Sequence, residues 1–179
     1  SEGDVPYVTT NDILTSGFFT ACGSRIGIMG LDCRGRMDGI EKDLAGNYAT
    51  GLTMDPGTFG TPAKVRKMLT TTPYQTTMLP LPGCCGWFVG KESAKFAMAT
   101  NWSTFAGELI TLEGCTMNVH LPVMNPDYCL FDLMIPFSSS PGKVGVIIYT
   151  VSSDEESLRQ ALPVGGEGVS GIVSLDKGL

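Results

Sequence analysis

Residues 143–151, KVGVIIYTV, form an almost unbroken apolar run dominated by β-branched side chains. Such side chains pack well on a pleated strand, and a short continuous run reads as a strand buried on both faces. A chain with such a strand must build a sheet around it. The stretch upstream agrees. In FAGELITL, Phe105, Gly107, Leu109 and Thr111 share one face, and in CTMNVHLPV, Met117, Val119, Leu121 and Val123 share another. YCLFDLMIPF ends in Pro136-Phe137, and GVSGIVSL reads as a last strand.

The remainder supplies turns more than helices. Gly and Pro number 23 and 11 among 179 residues. SRIGIMGLDCRGRM (24–37) reads as one or two short strands, with Ile26, Ile28 and Leu31 near alternate positions. EKDLAG (41–46) reads as a single helical turn. Asp55-Pro56-Gly57 is turn chemistry. Thr61-Pro62 opens TPAKVRKML, the best helix start, with Thr61 as N-cap and Pro62 as the first helical residue. TTTPYQTTMLPLPG (70–83) is an extended connection, and GKESAKFAMATNW (90–102) fits helix or strand. SDEESLRQAL (153–162) carries a capping-box pattern at Ser153 and Glu156. Residues 1–20 read as an N-terminal arm that begins to pack at Ile13, Leu14, Phe18 and Phe19. Residues 21–179 then form one domain, long enough to bury a full core. Short strands joined by turns predict an all-β sandwich or jelly roll.

Charged residues make up 17% of the chain, against about 25% in a typical soluble domain. A surface covered by neighbours or a Ser/Thr-rich one accounts for this equally. A net charge of −6 argues against a dedicated nucleic-acid binder, which needs a basic face. No apolar run is long enough for a membrane helix. Ser1-Glu2-Gly3-Asp4 is no signal peptide and reads as a processed or cut end.

The chemistry-bearing motifs fall short one by one. GEGVSG (166–171) matches Gly-x-Gly-x-x-Gly but is followed by a strand-like stretch, where a dinucleotide site needs a helix. Gly90-Lys91 precedes Glu92 instead of Ser or Thr, and Cys85 stands at the first glycine of a P-loop. Asp154, Glu155 and Glu156 read as a solvated run. Asn101-Trp102-Ser103 fits the glycosylation sequon without a secretory context. The six cysteines contain no Cys-x-x-Cys, and with His120 as the single histidine a zinc set would need four cysteines. Free thiols packed as small apolar residues are the expectation. Lys64, Arg66 and Lys67 form the basic cluster, either a solvated helix face or a phosphate contact.

Several stretches resemble one family. NYATGLTMDPGTFGTPAKVRKMLTTTP, NWSTFAGELITLEGCTMNVHLPV and FDLMIPFSSSPGKVGVIIYTV are similar to segments of the coat proteins of picorna-like plant viruses of the comovirus, nepovirus and cheravirus group. The likeness spans residues 48–175 in patches, and Ala106 stands where the family has Arg. It implies an eight-stranded antiparallel jelly-roll β-sandwich with short helices in its loops. It also implies a capsid subunit, the small coat protein of a three-coat-protein member. Such a subunit joins other coat chains in a pseudo T=3 icosahedral shell around a positive-strand RNA, in the virion and, during assembly, the host cytoplasm. No cofactor, catalysis, membrane or small-molecule substrate belongs to that reading. Trp102, Phe105 and Gly107 would serve a sandwich edge or subunit contact, and Lys64, Arg66 and Lys67 weak RNA contact. Two other classes compete. One is a jelly-roll carbohydrate-binding module stacking sugars on Tyr48, Tyr74, Trp87 or Trp102. The other is a cysteine-dependent enzyme pairing Cys115 or Cys129 with His120.

Overall fold

The computed structural model describes residues 5–46, 48–71, 95–104, 113–115, 121–122, 131–140, 142–151 and 155–162. Among these, helix α1 spans Thr10–Ala21, strand β1 Ile26–Asp32 and β2 Ala49–Met54; α2 is a single turn, Pro56–Phe59, and α3 spans Pro62–Thr71. Strands β3 (Phe96–Thr100), β4 (Asp132–Ser140) and β5 (Lys143–Tyr149) follow, and α4 covers Glu155–Ala161.

The five strands make one sheet in the order β2-β1-β3-β4-β5. β1 pairs with β3 in parallel, and β3 with β4 in parallel. β2 and β5 lie antiparallel at the two edges. This mixed sheet with helices on one face replaces the expected eight-stranded antiparallel jelly roll. The reason is local. Parallel neighbours need long crossovers rather than hairpins, and here residues between β1 and β3 supply α2 and α3.

The expected arm is the largest local difference, because residues 10–21 form α1. Thr9 is its N-cap and accepts from the Asp12 backbone N–H, while the Asp12 carboxylate accepts from the Thr9 N–H. That reciprocal pair is a capping box, and Thr9-x-x-Asp12 announces it in the sequence. The helix stops at Cys22, followed by Gly23 at φ 58°, a left-handed step that glycine makes without strain. Leu14, Phe18 and Phe19 are buried and Ile13 lies outside, at 37% exposure. The expected boundary after residue 20 falls within the last turn of α1.

Asp55-Pro56-Gly57 opens the one-turn α2, capped reciprocally by Asp55 and Thr58. α3 starts at Pro62, as the Thr61-Pro62 step predicts, with the Lys64 N–H 3.4 Å from Thr61 Oγ1. Residues 41–46 contain a turn and no helix. KVGVIIYTV becomes β5, an edge strand with Lys143 and Val144 exposed and the rest half-buried, so it is not sealed on both faces. FAGELITL, GVSGIVSL and most of CTMNVHLPV lie outside the described residues.

The main core lies between the helices and one sheet face. Leu14, Phe18 and Phe19 from α1, its cap Cys22, Phe59, Val65 and Leu158 meet Met29, Met54, Ala97, Ala99 and Met134. Phe19 packs edge-on against Phe59, ring centroids 5.3 Å apart. Two glycines permit the close approach. A Cβ on Gly27 would lie 2.5 Å from the Phe19 ring, and one on Gly17 would lie 2.6 Å from the Ala161 carbonyl oxygen. Side chains beyond hydrogen at these sites would force α1 off both the sheet and α4.

Candidate functional site

Strand register assigns every side chain to one face or the other, since neighbours in the chain alternate. Gly27, Met29, Ala97, Ala99 and Met134 point to the helices, so their neighbours form the opposite face. That face carries Gly51 and Thr53 of β2, Ile26, Ile28 and Gly30 of β1, and Phe96, Met98 and Thr100 of β3. β4 adds Leu133, Ile135 and Phe137, and β5 adds Gly145, Ile147 and Tyr149. Charges occur only at strand ends, Asp32 and Lys143. A sheet face turned to water carries polar residues in alternation with the core, whereas this one carries only Thr53 and Thr100 between its charged ends.

At its centre Leu133 and Ile135 are buried, packed with Met98, Trp102, Phe131 and Tyr149. Phe96 and Phe131 stack edge to face at 4.9 Å. Around that centre Ile26, Ile28, Phe96, Met98, Ile147 and Tyr149 are half-buried. The gradient from sealed centre to half-open rim suits a packing surface more than a cavity.

Trp102 sits at one corner. Its backbone N–H donates to the Pro136 carbonyl at 2.8 Å, and its indole Nε1–H donates to Thr100 Oγ1 at 3.2 Å. The ring is thus fixed against the sheet, where Trp102 also bridges to Phe137. Tyr48 is half-buried. Phe105, Gly107, Tyr74 and Trp87 lie outside the described residues, as do His120 and Cys129.

The basic cluster does not act as a unit. Lys64 and Lys67 are exposed. Arg66 turns inward, where its Nε and Nη2 donate to Asp12 Oδ2 at 2.8 and 2.6 Å, and Nη2 also donates to Thr9 Oγ1 at 2.7 Å. The Tyr7 ring covers the guanidinium at 5.1 Å. The Asp12 side chain is fully buried, so this pair locks α1 to α3. A residue chosen for phosphate contact is thereby committed to the interior.

A second carboxylate pair lies at the surface. Arg34 Nε donates to Asp32 Oδ1 at 3.0 Å, and hydrogen bonding from the Arg34 side chain and backbone lowers the Asp32 pKa. Burial raises the pKa of the neighbouring Cys33 thiol, and the Asp32 charge adds to the effect. Cys22 and Cys33 are buried thiols and Cys115 an exposed one, none of them in a disulfide. Asp132, also buried, accepts from Thr150 Oγ1 at 2.9 Å and the Val151 N–H at 2.8 Å, closing the end of β5 onto β4.

Among the described residues no three His, Cys, Asp or Glu side chains gather as a metal set, and no helix is long and apolar enough to cross a membrane. No family model matches the chain, and no curated protein or solved structure is significantly similar to it.

Proposed function

We propose that the chain is an assembly component that works through its second sheet face, laid against an apolar, uncharged surface of another polypeptide. The observation that carries this reading is the register itself. Fourteen positions from five strands fall on that face without a charge between the strand ends. Charge depletion with aromatic and Met enrichment marks the centre of a protein interface, and Phe96, Met98, Trp102 and Tyr149 supply both residue types. Low overall charge, 17% of residues, supports the same reading.

Membership of a shell of several coat chains is one form of such an assembly. It now rests on its sequence patches alone, without the jelly roll, and RNA contact through Arg66 is no part of it.

The test is sedimentation velocity of native-source material beside variants Ile28→Lys and Met98→Lys. Both positions are half-buried, so the fold tolerates a lysine that reaches to water. Co-sedimentation with other chains that each variant abolishes, with circular dichroism unchanged, supports the reading. Association with partners that survives both variants refutes it.

A further inference from the structure

The connection from β1 to β2 contains a reactive backbone step. Met37-Asp38-Gly39-Ile40 is a tight turn, closed by the Ile40 N–H donating to the Met37 carbonyl at 3.1 Å. Met37 and Ile40 pair as an isolated antiparallel bridge, and the Gly35 N–H donates to the Ile40 carbonyl at 2.7 Å. Asp38-Gly39 is the single Asp-Gly step of the chain, and Asn-Gly does not occur in it. An Asp-Gly pair between two apolar residues is ordinary turn chemistry. It is also the sequence in which a main-chain amide most readily attacks the preceding carboxyl, because glycine puts no side chain in the way.

We propose that Asp38 isomerises spontaneously to isoaspartate in the folded chain, and that the change opens the loop between β1 and β2 while leaving the strands paired. Both reacting groups are unencumbered. Asp38 and Gly39 are exposed. Among the described residues the Asp38 carboxylate has no cation or donor, and the Gly39 N–H has no acceptor. Gly39 sits at φ 78°, with open space where a Cβ would stand. Residues 35–41 line an open surface hollow that admits water.

The other aspartates of the described residues each lack a condition. Asp12 is buried under Arg66, and Asp132 is buried and bonded to Thr150 and Val151. Asp32 is held by Arg34, and the Cys33 N–H that would attack it donates to the Tyr48 carbonyl. Asp55 precedes Pro56, which has no N–H. Asp43 is exposed but precedes Leu44, whose side chain crowds the attacking nitrogen.

The step balances without an outside reagent. Gly39 N bonds to Asp38 Cγ, and a carboxyl oxygen leaves as water with the amide and acid protons. Water then adds to the cyclic imide. Opening at the main-chain carbonyl of Asp38 routes the chain through Cβ and Cγ and leaves a carboxylate on Cα. Net charge is unchanged, but the main chain gains a carbon between Met37 and Ile40. The hydrogen bond across the turn then loses its span. The bond from Gly35 to Ile40 and the packing of Lys42 over Gly35 go with it. The pair of Asp32 with Ala49, and those beyond it, lie outside the turn.

Ageing of the full chain at neutral pH, followed by trypsin digestion, tests this. Cleavage after Arg36 and Lys42 releases the peptide 37–42, whose one aspartate is Asp38. The expected result is a second species of that peptide, equal in mass and different in retention, that accepts isoaspartate carboxyl methylation. It should form nearly as fast in the folded chain as in the same peptide free in solution. Asp38→Glu, whose carboxyl must close a larger ring, should abolish it. Hydrogen exchange in the aged chain should speed up at Gly35 and Ile40 and stay unchanged across residues 26–32. A folded chain that isomerises far more slowly than the free peptide overturns the proposal. So does earlier isomerisation at another of these aspartates, or an isomerised loop whose exchange is unaltered.

Discussion

The two faces of one sheet differ more than any two parts of the sequence suggest. On the helix side, Phe18, Phe19, Val65 and Met134 are completely buried, and the strands present small Ala97 and Ala99 where α1 lies down. On the other side the strands carry the large residues themselves, Phe96, Met98, Leu133, Ile135 and Phe137, and only the centre is sealed. One face is a finished core made by this chain. The other is an apolar layer whose centre is buried and whose rim is half-buried among the described residues. Strand alternation alone produces both, so the lesson is that a strand with no polar face implies two covered surfaces, and the helices account for one.

Stability measurements can break this contrast. The largest effect should come from Phe19→Ala, which removes a ring wedged between Phe59 and Gly27. A loss of about 3–5 kcal/mol is expected from urea denaturation. Arg66→Ala comes next, because it leaves the Asp12 carboxylate buried without its partner, a loss of about 3 kcal/mol. The double variant Asp12→Asn, Arg66→Met should recover part of it. On the second face, Met98→Ala should cost only about 1 kcal/mol, since its site is half-open. If Met98→Ala matches Phe19→Ala, the two faces are equally complete and the contrast is wrong.

The smallest effect is a pH dependence. The folded pKa of Asp32 is lowered by Arg34, so this pair stabilises the fold above the unfolded carboxylate pKa and loses that contribution as pH falls through the folded value. Asp32→Asn should therefore cost a little stability at neutral pH, and its difference from the parent should vanish in acid titrations as pH falls below about 4. Thiol alkylation offers a related check: the exposed Cys115 should react quickly, while Cys33, buried and raised in pKa, should react slowly until the protein unfolds.

Much of the strand content was legible. β1, β4 and β5 lie within stretches whose β-branched and alternating residues read as strands, and α3 begins at the Thr61-Pro62 signal. Sheet topology was not legible, because an apolar strand pattern does not say which strands are neighbours, and the connections that decide it link residues far apart in the chain. Helix α1 was missed although Thr9-x-x-Asp12 marked it. Its polar residues Thr15 and Ser16 sit among the aromatics, and both are buried, so the apolar stripe looks broken. The partner of Arg66 was not legible for a different reason. Nothing near it in sequence shows that Asp12, 54 residues earlier, lies beneath it.

The parallel pairing of β1 with β3 also shapes how the chain reaches its fold. Ile26 pairs with Phe96, seventy positions further along the chain, whereas β1 and β2 close a much shorter loop. Contacts so distant along the chain form late, since loop closure must precede any gain from them. The β1–β2 hairpin therefore waits, with one side of β1 unclaimed, until β3 arrives. During synthesis that interval is the moment when a chaperone, or a premature neighbour, has its chance to bind.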